Sequence, residues 1–343
     1  MKELQNPWRG KGLPETALPG VPAPSVDAAA PRALLGRCPT AAETPLVEVA
    51  DFGPRLWVKD ERGRMGLGSF KALGAAYVIA HAASAVGSSD MTTALRGRTY
   101  VTASAGNHGM SVAAGARIFG ARAVIYLADT VPEDFARRLR DKGAEVVRKG
   151  AEYEASMAGA AKAAQDNGWT LLSDSSWPGY FELPHRLMEG YLAMAAEMTE
   201  QMPEVPTHIF LQAGVGGLAG ACAAYFRHVW GDAPRIIVVE PEFAPALQAS
   251  IEAGKAVATS GPVSNMGRLD CKEPSLIALK GLARDADVFV TLSEAEASGV
   301  LPDLAAAGLA TSESGGAGLA AMTLMGLDSD ARVLCILSEG PDA

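Results

Sequence analysis

The sequence is poor in the residues that build metal centres and covalent frameworks, with 4 cysteines and 5 histidines in 343 residues. Cys38, Cys222, Cys271 and Cys335 are widely scattered, make no Cys-x-x-Cys pair and have no histidine at ligand spacing. They read as buried free thiols, and no metal is expected. The histidines form no His-Glu-x-x-His or related cluster. Positive charge is also short: 30 lysines and arginines face 39 aspartates and glutamates, a formal net charge of -9. Duplex binding relies on a basic face that displaces counterions from phosphates, so a nucleic-acid partner is not expected. Long apolar runs are missing as well. No stretch is long enough to span a bilayer, and residues 1–10 lack the apolar core of a signal peptide, which predicts no membrane partner and a cytoplasmic location.

The rest of the composition, 48% hydrophobic and 20% charged with 37 glycines, fits a globular α/β protein long enough for two medium domains. Residues 13–31 are rich in proline and alanine without apolar periodicity and read as an extended arm. After them, short β-rich runs alternate with helical stretches: 55–59, 99–102, 123–127, 145–148, 170–173, 208–212, 235–240, 288–292 and 333–337, with helices at 71–83, after His108 and at 184–201. Strand and helix alternating this often predicts parallel sheets flanked by helices. The prolines at 203 and 206 stop the last of those helices and suggest a crossing between domains. The expected organisation is an arm over 1–40, a large domain from 41–87 and 202–343, and a small domain over 88–201.

Four segments carry candidate chemistry. In Gly68-Ser69-Phe70-Lys71-Ala72-Leu73-Gly74 the lysine stands at a helix start, where amide dipoles disfavour an ammonium and tune the side chain toward the neutral amine that forms a Schiff base. A solvated lysine is the competing reading. Thr102-Ala103-Ser104-Ala105-Gly106-Asn107-His108-Gly109 follows a strand, at the end where open α/β sheets bind ligands, although Asn107 as a plain helix cap explains it too. Gln212-Ala213-Gly214-Val215-Gly216-Gly217-Leu218-Ala219-Gly220 precedes a helix and offers amides to a phosphate. It also approximates a dinucleotide fingerprint, which keeps a nicotinamide-dependent dehydrogenase open, with Glu240 as its ribose contact. The strand ending at Ser338 places a hydroxyl where it can bond a pyridine nitrogen, or simply ends a strand.

Together and in this order, the four segments resemble fold type II pyridoxal-phosphate enzymes, the tryptophan synthase β superfamily that includes threonine dehydratase and serine racemase. The resemblance covers roughly residues 44–340 and implies a two-domain α/β fold, a pyridoxal 5'-phosphate cofactor and a small amino acid as substrate. Lys71 would carry the cofactor, Phe70 would pack near its ring and Asn107 would bond its phenolic oxygen. Gly214, Val215, Gly216, Gly217 and Leu218 would hold the phosphate, and Ser338 would face the pyridine nitrogen. A homodimer is expected.

The chain is most similar to the diaminopropionate ammonia-lyase group. The shared stretches are Lys59-Asp60-Glu61, Arg64-Met65-Gly66-Leu67, Asp174-Ser175-Ser176-Trp177-Pro178-Gly179-Tyr180, Met188-Glu189-Gly190-Tyr191, Cys271-Lys272-Glu273-Pro274, Glu313-Ser314-Gly315-Gly316 and Ser338-Glu339-Gly340. The implied reaction is β-elimination from 2,3-diaminopropionate to pyruvate and ammonia, with Lys71 as base and Asp174 contacting a substrate amine or handling a proton. The group's aspartate before Gly-Asn-His is Ala105 here, and Arg268-Leu269-Asp270-Cys271 departs from the group's pattern. These departures keep a serine, threonine or hydroxyaspartate dehydratase as the alternative. Arg268 is either a surface residue or a partner for a substrate anion.

Overall fold

The computed structural model describes residues 1–50 and 52–341. Among them eleven strands run in chain order: β1 (Lys2–Gln5), β2 (Leu46–Val49), β3 (Arg55–Asp60), β4 (Thr99–Ala103), β5 (Arg122–Leu127), β6 (Glu145–Arg148), β7 (Thr170–Leu171), β8 (His208–Gln212), β9 (Arg235–Pro241), β10 (Val288–Leu292) and β11 (Arg332–Leu337). They form a seven-stranded sheet in the order β1-β10-β9-β8-β11-β3-β2 and a four-stranded sheet in the order β6-β5-β4-β7. Every pair from β10 to β3 and every pair of the small sheet is parallel. Parallel neighbours need crossovers, and helices supply them. This is the α/β architecture the alternation predicts. Helices cover the sheet faces, so central strands are apolar at successive positions: β10 is buried throughout and β11 at all but its first residue.

The two edges of the large sheet are antiparallel additions that alternation did not reveal. β1 pairs with β10 and β2 pairs with β3. Just beyond β1, the buried Asn6 side chain donates to the carbonyls of Ala283 and Ala286 at 2.9 and 2.7 Å, which pins the start of the chain to the sheet. The proline-rich stretch that follows buries Leu13, Leu18 and Val21.

Helix Lys71–Val86 packs on helix Glu182–Gln201 through two glycines. A Cβ on Gly74 would meet Leu187 and Tyr191 at 2.8 Å, and one on Gly190 would meet the Leu73 carbonyl oxygen at 2.6 Å. Only glycine permits this backbone approach. The contact matters because each helix brings a residue to the same cleft: Lys71 from one and Tyr191 from the other.

Candidate active site

The cleft lies at the carboxyl ends of β3, β4, β8 and β11, where each of the four sequence segments begins. After β3 the chain makes a short 3-10 turn, Glu61–Gly66, in which Met65 adopts a left-handed conformation with φ 51°. Gly66 and Gly68 follow with φ of 67° and 81°, and the chain then enters helix Lys71–Val86. Lys71 Nζ donates to Asp174 Oδ2 at 2.5 Å, across 103 positions of sequence. It also stands 5.3 Å from the centre of the Phe70 ring, which meets Tyr191 edge-on at 5.0 Å. Ser338 is buried, and its carbonyl accepts from Phe70 N at 3.2 Å, so the end of β11 is fixed beside the lysine.

Burial disfavours the ammonium of Lys71, but Asp174 outweighs burial and raises the lysine's affinity for its proton. Asp174 shows the mirror image: burial favours its neutral acid, and Lys71 drives it far below the usual carboxylate range. The helix-start argument for a neutral amine is thereby corrected. In the protein alone, Lys71 is an ammonium paired with Asp174. The two side chains keep 22% and 24% of their surface, so solvent screens the pair in part.

The loop carrying Asp174 is braced from both sides. Tyr180 stacks on Trp177 at 4.3 Å, donates to the Leu171 carbonyl at 2.8 Å and accepts from Ser173 N at 3.1 Å. Farther on, the Ser176 and Ser275 hydroxyls are 2.8 Å apart, and Ser275 N donates to the Val215 carbonyl at 2.9 Å. Asp174 is in this way tied to the glycine-rich turn.

That turn, residues 214–218, opens helix Gly217–Trp230 with its amides unspent by the helix. Gly216 has φ 97°, and a Cβ there would come within 3.0 Å of Ala278 and Leu247. A Cβ on Gly214 would lie 2.9 Å from Cys271 Sγ, whereas one on Gly217 would lie 3.6 Å from Tyr191 and 3.9 Å from the Asp174 carbonyl. The turn is therefore a tightly packed backbone cup beside Tyr191 and the Asp174 backbone, suited to a phosphate. The buried Tyr191 hydroxyl and His108 Nδ1, both on side chains that feel the charges of Lys71 and Asp174, make no hydrogen bond of ordinary geometry in the protein. Such atoms are rare and suit a polar ligand. A phosphorylated aromatic aldehyde fits this set of groups: a lysine to bond it, an amide cup for its phosphate and buried polar atoms to receive its substituents.

The comparisons agree with the geometry. The family model for pyridoxal-phosphate dependent enzymes matches residues 38–339. The chain belongs to this family. Pyridoxal phosphate is accordingly its cofactor. Among relatives, a diaminopropionate ammonia-lyase of Salmonella typhimurium is 33% identical over 284 residues, 75% of this chain and 70% of that protein. An L-threonine ammonia-lyase of Geobacter sulfurreducens is 28% identical over 70% of this chain and 58% of its own length. Among solved structures, Escherichia coli diaminopropionate ammonia lyase in complex with D-serine superposes with TM-score 0.86 at 29% identity, covering 99% of this chain and 93% of that one.

Sequence reasoning gave Glu339 no role, although it draws together Asn107, Arg268 and Ser312 at the end of β11. Its buried carboxylate accepts from Asn107 Nδ2 at 2.5 Å, from Arg268 Nη1 at 2.7 Å and from the Ser312 hydroxyl. The Asn107 amide carries two N–H donors, so one serves Glu339 and the other remains for a ligand. Arg268 is thus a partly exposed residue paired with the buried Glu339 carboxylate. Glu240, the ribose contact of the dehydrogenase reading, is instead fully buried and accepts from the amides of Leu247 and Gln248 at 2.7 Å each. Burial pushes its carboxyl up to about 8, and it caps a helix with no face open to a nucleotide.

One outcome tests the cup. Gly216→Ala forces a side chain into left-handed backbone, at a cost of roughly 1–2 kcal/mol, and into Ala278 and Leu247. Pyridoxal phosphate should bind the apo protein about tenfold more weakly or worse, read by fluorescence titration. Unchanged affinity would remove this turn from the cofactor site.

Proposed function

We propose that this enzyme eliminates the β-amine of 2,3-diaminopropionate, giving pyruvate and ammonia. The observation that supports this most is the pairing of Lys71 with Asp174 beside the glycine cup. When bound, pyridoxal phosphate supplies an electron sink that acidifies the hydrogen on Cα. Lys71 is the group placed to take that proton. With Lys71 engaged in this work, Asp174 loses its counter-ion, and a partly buried carboxylate without a cation is unfavourable. A substrate with a second ammonium restores the pair, and a serine hydroxyl does not. The diaminopropionate ammonia-lyases among its relatives point the same way.

Asp174→Asn tests the proposal. A charge-assisted hydrogen bond contributes about 1.5–3 kcal/mol, so kcat/KM for diaminopropionate should fall roughly 10- to 100-fold further than kcat/KM for serine. Equal losses on both substrates would mean that Asp174 does not read the second amine. That result would favour the serine or threonine dehydratase reading, which the Ser-Ala-Gly-Asn-His segment and the threonine ammonia-lyase relatives also support.

Stereochemistry gives a second check. Removing the Cα hydrogen from opposite enantiomers needs bases on opposite faces. Asp174 stands against Lys71 itself, and Ala105, before Gly106, has no proton acceptor. L-Diaminopropionate should therefore react at least about tenfold faster than the D-form, and Ala105→Asp should raise the D-rate. Equal initial rates on the two enantiomers would contradict this. The proposal includes a cytoplasmic homodimer, for which sedimentation should give twice the mass of one chain. It also includes an arm over 1–40 and a division into 41–87 with 202–343 and 88–201, since every strand of the small sheet comes from within the latter range.

A further inference from the structure

Glu240 is a fully buried acid that the reaction does not use. It stands next to last in β9, and its two carboxyl oxygens accept from Leu247 N and Gln248 N at 2.7 Å each. Those amides open helix Ala246–Ala253, whose own N-cap, Pro245, offers no side-chain bond. The same helix carries Leu247 to the glycine turn: its two methyl carbons lie 3.0 and 3.4 Å from where a Cβ on Gly216 would stand. One residue therefore separates the buried carboxyl from the centre of the cup. Among the described residues no cation offsets this acid, and only burial and the two amides act on its proton. The neighbouring strands bring the uncharged Gln212 and Thr291 to this end of the sheet. Helix Ala246–Ala253 contributes only the exposed Glu252, and helix Glu313–Leu324 only Glu313, which is bonded to Ser298.

We propose that Glu240 is a positioning residue that sets the cup's affinity for the cofactor phosphate: as a neutral acid it braces Leu247 against Gly216, and as a carboxylate it weakens phosphate binding by like-charge repulsion. No solvent reaches this carboxyl, and charges inside a protein interact far more strongly than in water. Burial lifts its pKa to about 8, so the passage from one form to the other falls just above neutral pH. The coupling is reciprocal: a bound phosphate favours the protonated acid, so binding near that pKa takes up a proton. A helix cap alone explains the two amide bonds, but a cap predicts neither effect. The proposal rests on the turn 214–218 holding the phosphate, and not on which amino acid is the substrate.

Titrating the apo protein with pyridoxal 5'-phosphate and with pyridoxal, which lacks the phosphate, separates the cup from the rest of the site. From about pH 7.5 to about 9.5, the wild-type preference for the phosphorylated ligand should fall roughly tenfold further than in Glu240→Gln. The variant cannot ionise at this position, so it corrects for titration of the ligands themselves. A readout on the wild type alone does not depend on how the variant folds. At about pH 8.5, pyridoxal phosphate should take up roughly half a proton more than pyridoxal, measured by calorimetry in two buffers of different ionisation enthalpy. Parallel pH profiles in wild type and Glu240→Gln, or equal proton uptake with the two ligands, overturns the proposal. Gly216→Ala tells its failure from failure of the cup: a cup that holds the phosphate costs this variant affinity for pyridoxal phosphate selectively, whereas equal losses on both ligands would remove the premise.

Discussion

Lys71→Ala should abolish the cofactor's lysine-bound absorbance and lower turnover by at least about 10³-fold, since bond to the cofactor and proton acceptor are lost together. No neighbouring lysine is free to replace it. Lys59 Nζ is completely buried and spends its three donors on the Thr44 carbonyl, Gln201 and Glu197. Lys272 spends its own on the carbonyls of Phe243 and Pro262 and on Asp270. Moving Lys59 would strand buried acceptors, and moving Lys272 would break three bonds at once. Borohydride reduction of the wild-type holoenzyme followed by peptide mapping should place the pyridoxyl group on residue 71. A label on another lysine, or a variant that keeps its absorbance, would contradict the assignment.

Arg64→Ala should give the largest loss of stability, about 3–5 kcal/mol, measured by denaturant unfolding of the cofactor-free protein. Arg64 is 1% exposed and paired with Glu61 at 2.7 Å and Glu197 at 2.6 Å, with further bonds to the Ala42 carbonyl and the Thr44 hydroxyl. With Lys59 it balances two buried carboxylates, so removing it leaves net negative charge inside the fold. The cluster also ends one residue before Met65, whose left-handed backbone starts the turn into Lys71. Loss of Arg64 should therefore loosen the active-site lysine as well. The pH dependence follows from Glu197. Burial favours its neutral acid, but Arg64 and Lys59 hold its pKa below the ordinary glutamate value. A depressed carboxylate contributes stability above its unfolded pKa and loses it as pH falls through the folded one. The wild type should consequently lose stability below about pH 4.5, and Arg64→Ala should lose less over that window. A variant as stable as wild type, or one with an unchanged acid transition, would show that the cluster does not act this way.

How much was legible in the sequence differs from element to element for physical reasons. β6, β8 and β10 were delimited at their true ends because each is a short β-rich run closed on both sides by turn or helix-capping residues. β1 and β2 were missed: Lys2-Glu3-Leu4-Gln5 and Leu46-Val47-Glu48-Val49 are short edge strands with mixed faces, and their partners lie far away in sequence. The turns that end β4 and β8 were legible because glycine-rich segments after strands stand out by their spacing. Burial does not appear in spacing. Glu339 and Tyr191 stood inside quoted motifs yet drew no role, since nothing local tells a buried carboxylate with three donors from a solvated one. The charge state of Lys71 was misjudged for a related reason: the helix start is local, whereas Asp174 arrives from the other sheet's last loop.

The most direct measurement of the central claim is the product ratio from purified holoenzyme with L-2,3-diaminopropionate as the only substrate, counting pyruvate and ammonia in the same reaction. The proposed elimination releases the β-amine as one ammonia, and hydrolysis of the resulting enamine by water releases the α-amine as a second, so the account predicts two ammonia per pyruvate. It also predicts a kcat/KM for this substrate well above that for L-serine, which can yield only one ammonia per pyruvate. No 2-oxo acid from diaminopropionate, alongside turnover of serine, threonine or hydroxyaspartate at one ammonia per 2-oxo acid, would contradict it.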